Sequence, residues 1–190
     1  MIRSKLDLLE YLEADRIALY RKQKKPSAVD LIWQYERALR KLEYYTNISA
    51  WGGVRLYYKI KHFVLGIILG FDIPINVVDK GLALPHRGTI IISYGAHIGE
   101  NCRIHVGVNI GTAPGCGGKA PTIGNNVYIA PGAKIYGPIT IASGIMIGAN
   151  AVVGKSFTED NICIAGVPAR KISDMGRFDI EARNHKLYES

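Results

Sequence analysis

The sequence predicts a mainly β chain: a parallel β-helix behind an α-helical N-terminal region. Three observations lead there. An aliphatic residue returns every six positions, at Ile98, Ile104 and Ile110 and again at Ile123, Ile129, Ile135, Ile141, Ile147 and Val153. A small residue follows most of them (Gly99, Gly111, Gly124, Ala130, Ala142, Gly148, Gly154), and three positions later comes a second small or β-branched residue such as Cys102, Val108, Val127, Ala133 or Ala151. Residues 1–70 lack this beat and show helical spacing instead. A period of six fits neither one amphipathic helix nor one flat strand. It is the period of a coil with three walls, each hexapeptide making one wall. The aliphatic residues then point to the axis and stack on their equivalents one coil away, and the small residues allow sharp corners.

The elements follow in chain order. A first helix is expected over residues 3–22. Pro26-Ser27 opens a second, where Ser27 with Asp30 resembles a capping box and Leu31, Tyr35, Ala38, Leu42 and Tyr45 form one stripe. Trp51-Gly-Gly53 breaks the chain, and a third helix runs from about Val54 to Leu69, stopped by Phe71-Asp-Ile-Pro74. This gives a helical region over 1–70, a β-helix over 71–168 and a C-terminal tail over 169–190. The coils at 72–97 keep the beat imperfectly. Seven extra residues lie between Ile110 and Ile123, within Thr112-Ala-Pro-Gly-Cys-Gly-Gly-Lys-Ala-Pro121. A loop thrown out of a rigid coil is where binding usually resides.

Composition narrows the class. With 190 residues, 48% of them hydrophobic, the chain can bury a real core. Its longest apolar run, Phe63–Phe71, is too short to span a bilayer. Met1-Ile-Arg-Ser-Lys-Leu-Asp lacks the apolar stretch of a secretion signal. Three cysteines without metal spacing suit a reducing cytoplasm, with Cys102 buried in the coil. The net charge of +8 is concentrated outside the repeat, in Arg21–Lys25, Arg37–Lys41, Arg55–Lys61 and Arg170-Lys171. Solvated helix faces account for it, with an anionic ligand as the sharper reading and nucleic acid disfavoured. The basic, apolar segment Arg55–Phe71 also suits peripheral membrane contact, although packing on the base of the coil is the simpler role.

The hexapeptide run, the Gly-rich loop and the closing Gly166-Val-Pro-Ala-Arg170 together resemble the left-handed β-helix acyltransferases, and within them the serine acetyltransferase-like subfamily. Asp72-Ile-Pro, then Leu84-Pro-His-Arg-Gly-Thr, then Ile98-Gly-Glu-Asn-Cys carry the likeness, which covers about residues 55–172. The resemblance implies acetyl transfer from acetyl-CoA to a hydroxyl by a homotrimer with sites between subunits. It implies His86 as general base, aligned by Asp72. A hydroxyl is a poor nucleophile at neutral pH, and an imidazole titrating nearby can take its proton. The oxyanion needs N–H donors, for which backbone between Gly107 and Gly111 is a candidate. For coenzyme A it implies Gly111, Ala130, Pro131, Ala149 and Gly154, with Lys155 and Arg170 facing the phosphates. No metal is implied: His86, His97 and His105 lack a paired ligand spacing, and His62 and His185 add none. His105, at a turn position usually held by a small residue, is expected to point outward.

The acceptor is read from departures. Pro85 stands where serine enzymes have Asp, Lys119-Ala-Pro121 where they have an Arg-His pair, and Tyr188-Glu-Ser190 where many end in Ile. Those groups hold a zwitterion, and leaving it unpaired is costly. The expectation is therefore a sugar hydroxyl in capsule or O-antigen polysaccharide synthesis, with nucleotide- or lipid-linked sugars as substrates. The alternatives are a serine O-acetyltransferase of cysteine biosynthesis and a non-catalytic β-helix scaffold.

Overall fold

The computed structural model describes residues 1–177; His185 and Tyr188-Glu-Ser190 lie outside the described residues. Three helices come first: α1 (Lys5–Ala18), α2 (Leu31–Asn47) and α3 (Gly52–Leu69). The Ser4 hydroxyl accepts from Asp7 N at 3.0 Å and the Asp7 carboxylate accepts from Ser4 N at 2.9 Å, so α1 starts on a capping box. The expected box at Ser27 is corrected. Asp30 itself caps α2, accepting from Trp33 N at 3.3 Å, and Ser27 contributes its carbonyl to Asp30 N. The α2 stripe packs as expected: Tyr35, Ala38 and Leu42 are buried.

From Phe71 the chain winds through three parallel walls. The first wall stacks Phe71–Asp72, Ile90–Ile92, Asn109–Gly111, Lys134–Tyr136 and Val152–Val153. The second stacks His97–Ile98, Thr122–Ile123 and Thr140–Ile141, and the third Arg103–Ile104, Tyr128–Ile129, Met146–Ile147 and Cys163–Ala165. Arg170–Ser173 runs back antiparallel along Cys163–Ala165 and closes the third wall. The six-residue beat appears as register: Ile104, Ile129, Ile147 and Ile164 pair in one column, and Ile92, Ile110, Ile135 and Val153 in another. None of these eight is more than 2% exposed.

Two of the three corners turn through a left-handed residue that is always Gly or Asn. Between the second and third walls these are Gly81, Asn101, Asn126, Gly144 and Asn161; between the third and first they are Gly88, Gly107, Gly132, Asn150 and Gly166. L side chains with a Cβ rarely adopt that conformation, and Asn is the polar exception. The corner after the first wall carries the insertion. Ile98 pairs with Ile123 across seven more residues than separate Ile123 from its next partner Ile141. The loop from Thr112 projects outward, with open space around Gly115, Gly117 and Gly118.

The helices cap the first coil. Tyr35, Leu39, Leu65 and Leu69 join one apolar cluster with Phe71, Ile73 and the coil interior. The seam beside them is charged. Arg40, entirely buried, donates to Asp15 (2.8 and 3.2 Å), to Glu43 (3.1 Å) and to the carbonyls of Val78 (2.7 Å) and Asp79 (2.6 Å). Asp15 in turn accepts from Gly81 N and Leu82 N, both at 2.9 Å. Reading Arg37–Lys41 as a wholly solvated face is thus corrected at Arg40: the irregular first coil has backbone groups without ladder partners, and buried polar groups demand them. On α3, Leu56, Ile60, Phe63 and Ile67 remain exposed. Among the described residues no helix is long and apolar enough to cross a membrane.

Candidate active site

The corner between the third and first walls is swollen at its base. Ala83 bridges to Arg103, and Ile91 pairs with Asn109, so the stretch between is two residues longer than the one stacked on it. The extra length bulges out as Pro85-His86-Arg87. Leu84 anchors the bulge, fully buried, with its N–H donated to the Glu36 carboxyl at 3.0 Å. Gly88 ends it at φ 129°, where a Cβ would come within 2.3 Å of Val106. His86 and Arg87 are consequently exposed on a fixed base.

His105 lies on the coil that stacks against this bulge. Its ring centroid is 6.0 Å from that of His86 and 4.9 Å from that of Tyr128. The expectation that His105 points outward is corrected: it is 9% exposed, and its Nε2 is buried without a hydrogen-bond partner. Packing on Tyr128 covers it. Burial, then the nearby Arg103 and His86, push its pKa down to about 4. The imidazole is therefore neutral at ordinary pH.

Along the same corner rise Ala130, Pro131 and Ala149. Ala130 is buried, while Pro131 and Ala149 are exposed. The corner backbone is laddered: Gly107 N donates to Thr89 O (2.7 Å), Gly132 N to Val106 O (2.9 Å) and Asn150 N to Pro131 O (2.9 Å). Asn109 N donates to Ala133 O at 3.0 Å. The N–H groups of Gly107 and Asn109 are thus engaged within the coil and are not free oxyanion donors.

The other expected site residues lie elsewhere. Gly111 and Gly154 fall at the far edge of the first wall, where the Tyr136 ring closes on Gly154 and the Lys155 ammonium sits 5.2 Å from the Phe157 ring centroid. Arg170 is exposed on the closing antiparallel strand. Asp72 faces outward on the edge strand of the first wall, paired with Ile91. Neither Asp72 nor His86 hydrogen-bonds the other among the described residues. Asp72 instead opens onto a groove of about 1160 Å³ between α3 and the first wall, lined also by Arg55, His62, Phe63 and Thr89 but not by His86. Its charge bears on His62, whose pKa burial lowers and Asp72 partly restores. Among the described residues, no group of three or more His, Cys, Asp or Glu could hold a metal ion.

Comparisons with known proteins decide the family. Residues 120–155 match the bacterial transferase hexapeptide model of six repeats. The serine acetyltransferase of Staphylococcus xylosus is 35% identical over 147 residues, covering 70% of this chain and 68% of that protein. The chain belongs to the hexapeptide-repeat acyltransferases of the serine acetyltransferase-like kind. The Mycobacterium tuberculosis serine acetyltransferase is 36% identical over 134 residues, or 67% of this chain; the match spans 58% of that longer relative. The crystal structure of serine acetyltransferase from Brucella abortus strain S19 superposes with a TM-score of 0.71 at 26% identity, covering 90% of this chain and 71% of that one. The same enzyme has been solved with coenzyme A, at a TM-score of 0.69 and 25% identity.

These relatives overturn the expected sugar acceptor and its place in polysaccharide synthesis. The curated relatives at 34–36% identity are serine acetyltransferases. The physical reason for the misreading is local. Missing charges at two positions do not empty the surroundings of charge, since Arg87 beside His86 and Lys119 in the loop are both exposed cations. The sequence put His105, a large ring in a small-residue position, on the outside, and it missed Glu36, which holds the base of the His86 bulge.

Proposed function

We propose that this acyltransferase moves the acetyl group of acetyl-CoA to the hydroxyl of serine, the O-acetylation that feeds cysteine biosynthesis. The observation that carries the reading is the likeness to serine acetyltransferases over two thirds of the chain, joined to an exposed histidine on a rigid bulge at the matching motif. His86 acts as general base on the serine hydroxyl. Arg87 and Lys119 are the cations on offer for the serine carboxylate. Coenzyme A supplies the activated acetyl group, and its pantetheine arm is proposed to run along the corner with Ala130, Pro131 and Ala149. Gly111, Gly154, Lys155 and Arg170 complete its binding.

The coil is proposed to be left-handed, as in the family it belongs to, and the chain to act as a homotrimer in the cytoplasm. What supports the trimer is the split of the site. His86, Ala130, Pro131 and Ala149 occupy one edge of the first wall, and Gly111, Gly154 and Lys155 the other. A head-to-tail contact sets one edge against the other, and closed cyclic symmetry satisfies it. A sedimentation measurement checks this: full activity in a stable monomer would overturn shared sites.

The experiment for the acceptor is steady-state release of free CoA thiol with acetyl-CoA and serine. Saturable turnover is expected, and His86→Ala should lower it at least about a hundredfold with acetyl-CoA binding kept. Absence of serine-dependent release by the wild-type protein would sink the proposal.

A further inference from the structure

The reaction builds negative charge on the thioester oxygen, and that charge must meet a donor. The Gly107 and Asn109 N–H groups are spent on Thr89 and Ala133. Beside His86, however, stands one polar side chain that is buried and unpartnered: His105, 9% exposed, with Nε2 bonded to nothing. The two ring centroids are 6.0 Å apart, so the two imidazoles are neighbours at this corner.

We propose that His105 is a second catalytic residue, its neutral imidazole donating the Nε2 proton to the oxyanion formed on the acetyl group. The proposal rests on the acetyltransferase reading and assigns the oxyanion donor within it. As the acceptor oxygen bonds to the acetyl carbon, its proton passes to His86 and the carbonyl π pair moves onto oxygen, where His105 meets it. The carbonyl then re-forms, the carbon–sulfur bond breaks, and the CoA thiolate takes the proton back from His86. His105 keeps its own proton throughout. Three features fit this role. The pKa near 4 keeps His105 from competing as a base, just as a neutral imidazole can serve as electrophile in other enzymes. Tyr128, 4.9 Å away centroid to centroid, fixes the ring in advance. A buried donor without a partner is destabilised in the resting enzyme, and the oxyanion removes that penalty only as the transition state is approached.

The test compares His105→Phe, which keeps a ring against Tyr128 but removes the donor, with His105→Gln, which keeps an N–H. His105→Phe should lower kcat about a hundred- to a thousandfold, with KM for acetyl-CoA and serine within about threefold. His105→Gln should recover at least about tenfold of that loss, and the pH profile of activity should keep its position in both. Loss through KM alone, or a Gln variant no better than Phe, would overturn the proposal. A measurement on the wild-type protein needs neither variant nor acceptor. In nitrogen-15 NMR, the protonated ring nitrogen of His105 should shift when a ketone analogue of acetyl-CoA binds, and an unmoved resonance would also overturn it. If His86→Ala abolishes turnover while His105→Phe does not, only this assignment fails; if neither matters, the acetyltransferase reading fails with it.

Discussion

Inside the coil, Ile92, Ile110, Ile135 and Val153 stack in register with nothing but aliphatic neighbours above and below. At the seam between helices and coil, the interior is instead ionic: Asp15, Glu36, Arg40 and Glu43 are all at most 1% exposed. The contrast follows from backbone regularity. Where coils repeat, each strand finds its N–H and C=O partners in the next, and side chains need only fill space. Where the coil begins, Val78, Asp79, Gly81, Leu82 and Leu84 offer backbone groups to the helices, and only charged or polar side chains can answer them. The His86 bulge grows from that second kind of interior, two residues beyond Leu84.

The sharpest way to break the seam is Arg40→Ala. It leaves Asp15 and Glu43 buried without their cation, and removing one partner of a buried pair costs about 3–5 kcal/mol. Urea unfolding should show that loss as a lower midpoint. A variant within about 1 kcal/mol of wild type would mean that the seam carries no such burden. The coil interior should respond more mildly to a single trimmed methyl. Ile135→Val, at a position with no exposure, is expected to cost about 0.5–1.5 kcal/mol, with activity unchanged. A larger loss would show that the stack tolerates volume change less well than an ordinary core.

The same contrast explains what was legible in the sequence. Repetition made the coil readable: every position of the Ile98-to-Val153 beat is buried, and the loop after Ile110 falls where the spacing breaks. The seam does not repeat, and its pairs span Asp15 to Arg40 and Glu36 to Leu84. A charged residue on a helix reads as solvated unless its distant partner is known, so Arg40 passed as surface. The site lies between the two cases. His86 was found through a motif, whereas the burial of His105 depends on Tyr128 one coil away, and its hexapeptide position alone points it to solvent. Asp72 and His86 are close in sequence, yet one sits on the first strand of a wall and the other on a corner bulge, a separation that the imperfect first coil concealed.

A further effect distinguishes the two interiors by pH. Glu36 is fully buried, and burial, with Asp15 adding to it, raises its pKa well above the ordinary 4.5; the Leu84 N–H and the cations Arg40 and Arg21 only partly oppose this. In the folded chain the carboxyl therefore holds its proton at pH values where the unfolded chain has released it. The unfolded state binds fewer protons there, so stability falls as pH rises above about 4.5, by at most about 1.4 kcal/mol per pH unit, until the folded pKa is passed. Glu36→Gln keeps an oxygen to accept from Leu84 N and puts an amide where the carboxyl proton was, with nothing left to titrate. At pH 5 the variant should differ little from wild type. At pH 8 it should be the more stable of the two, and its urea midpoint should change less between these values. Parallel pH curves for the two proteins would show that Glu36 is ionised in the fold, and the seam would then be held by charge at all four positions.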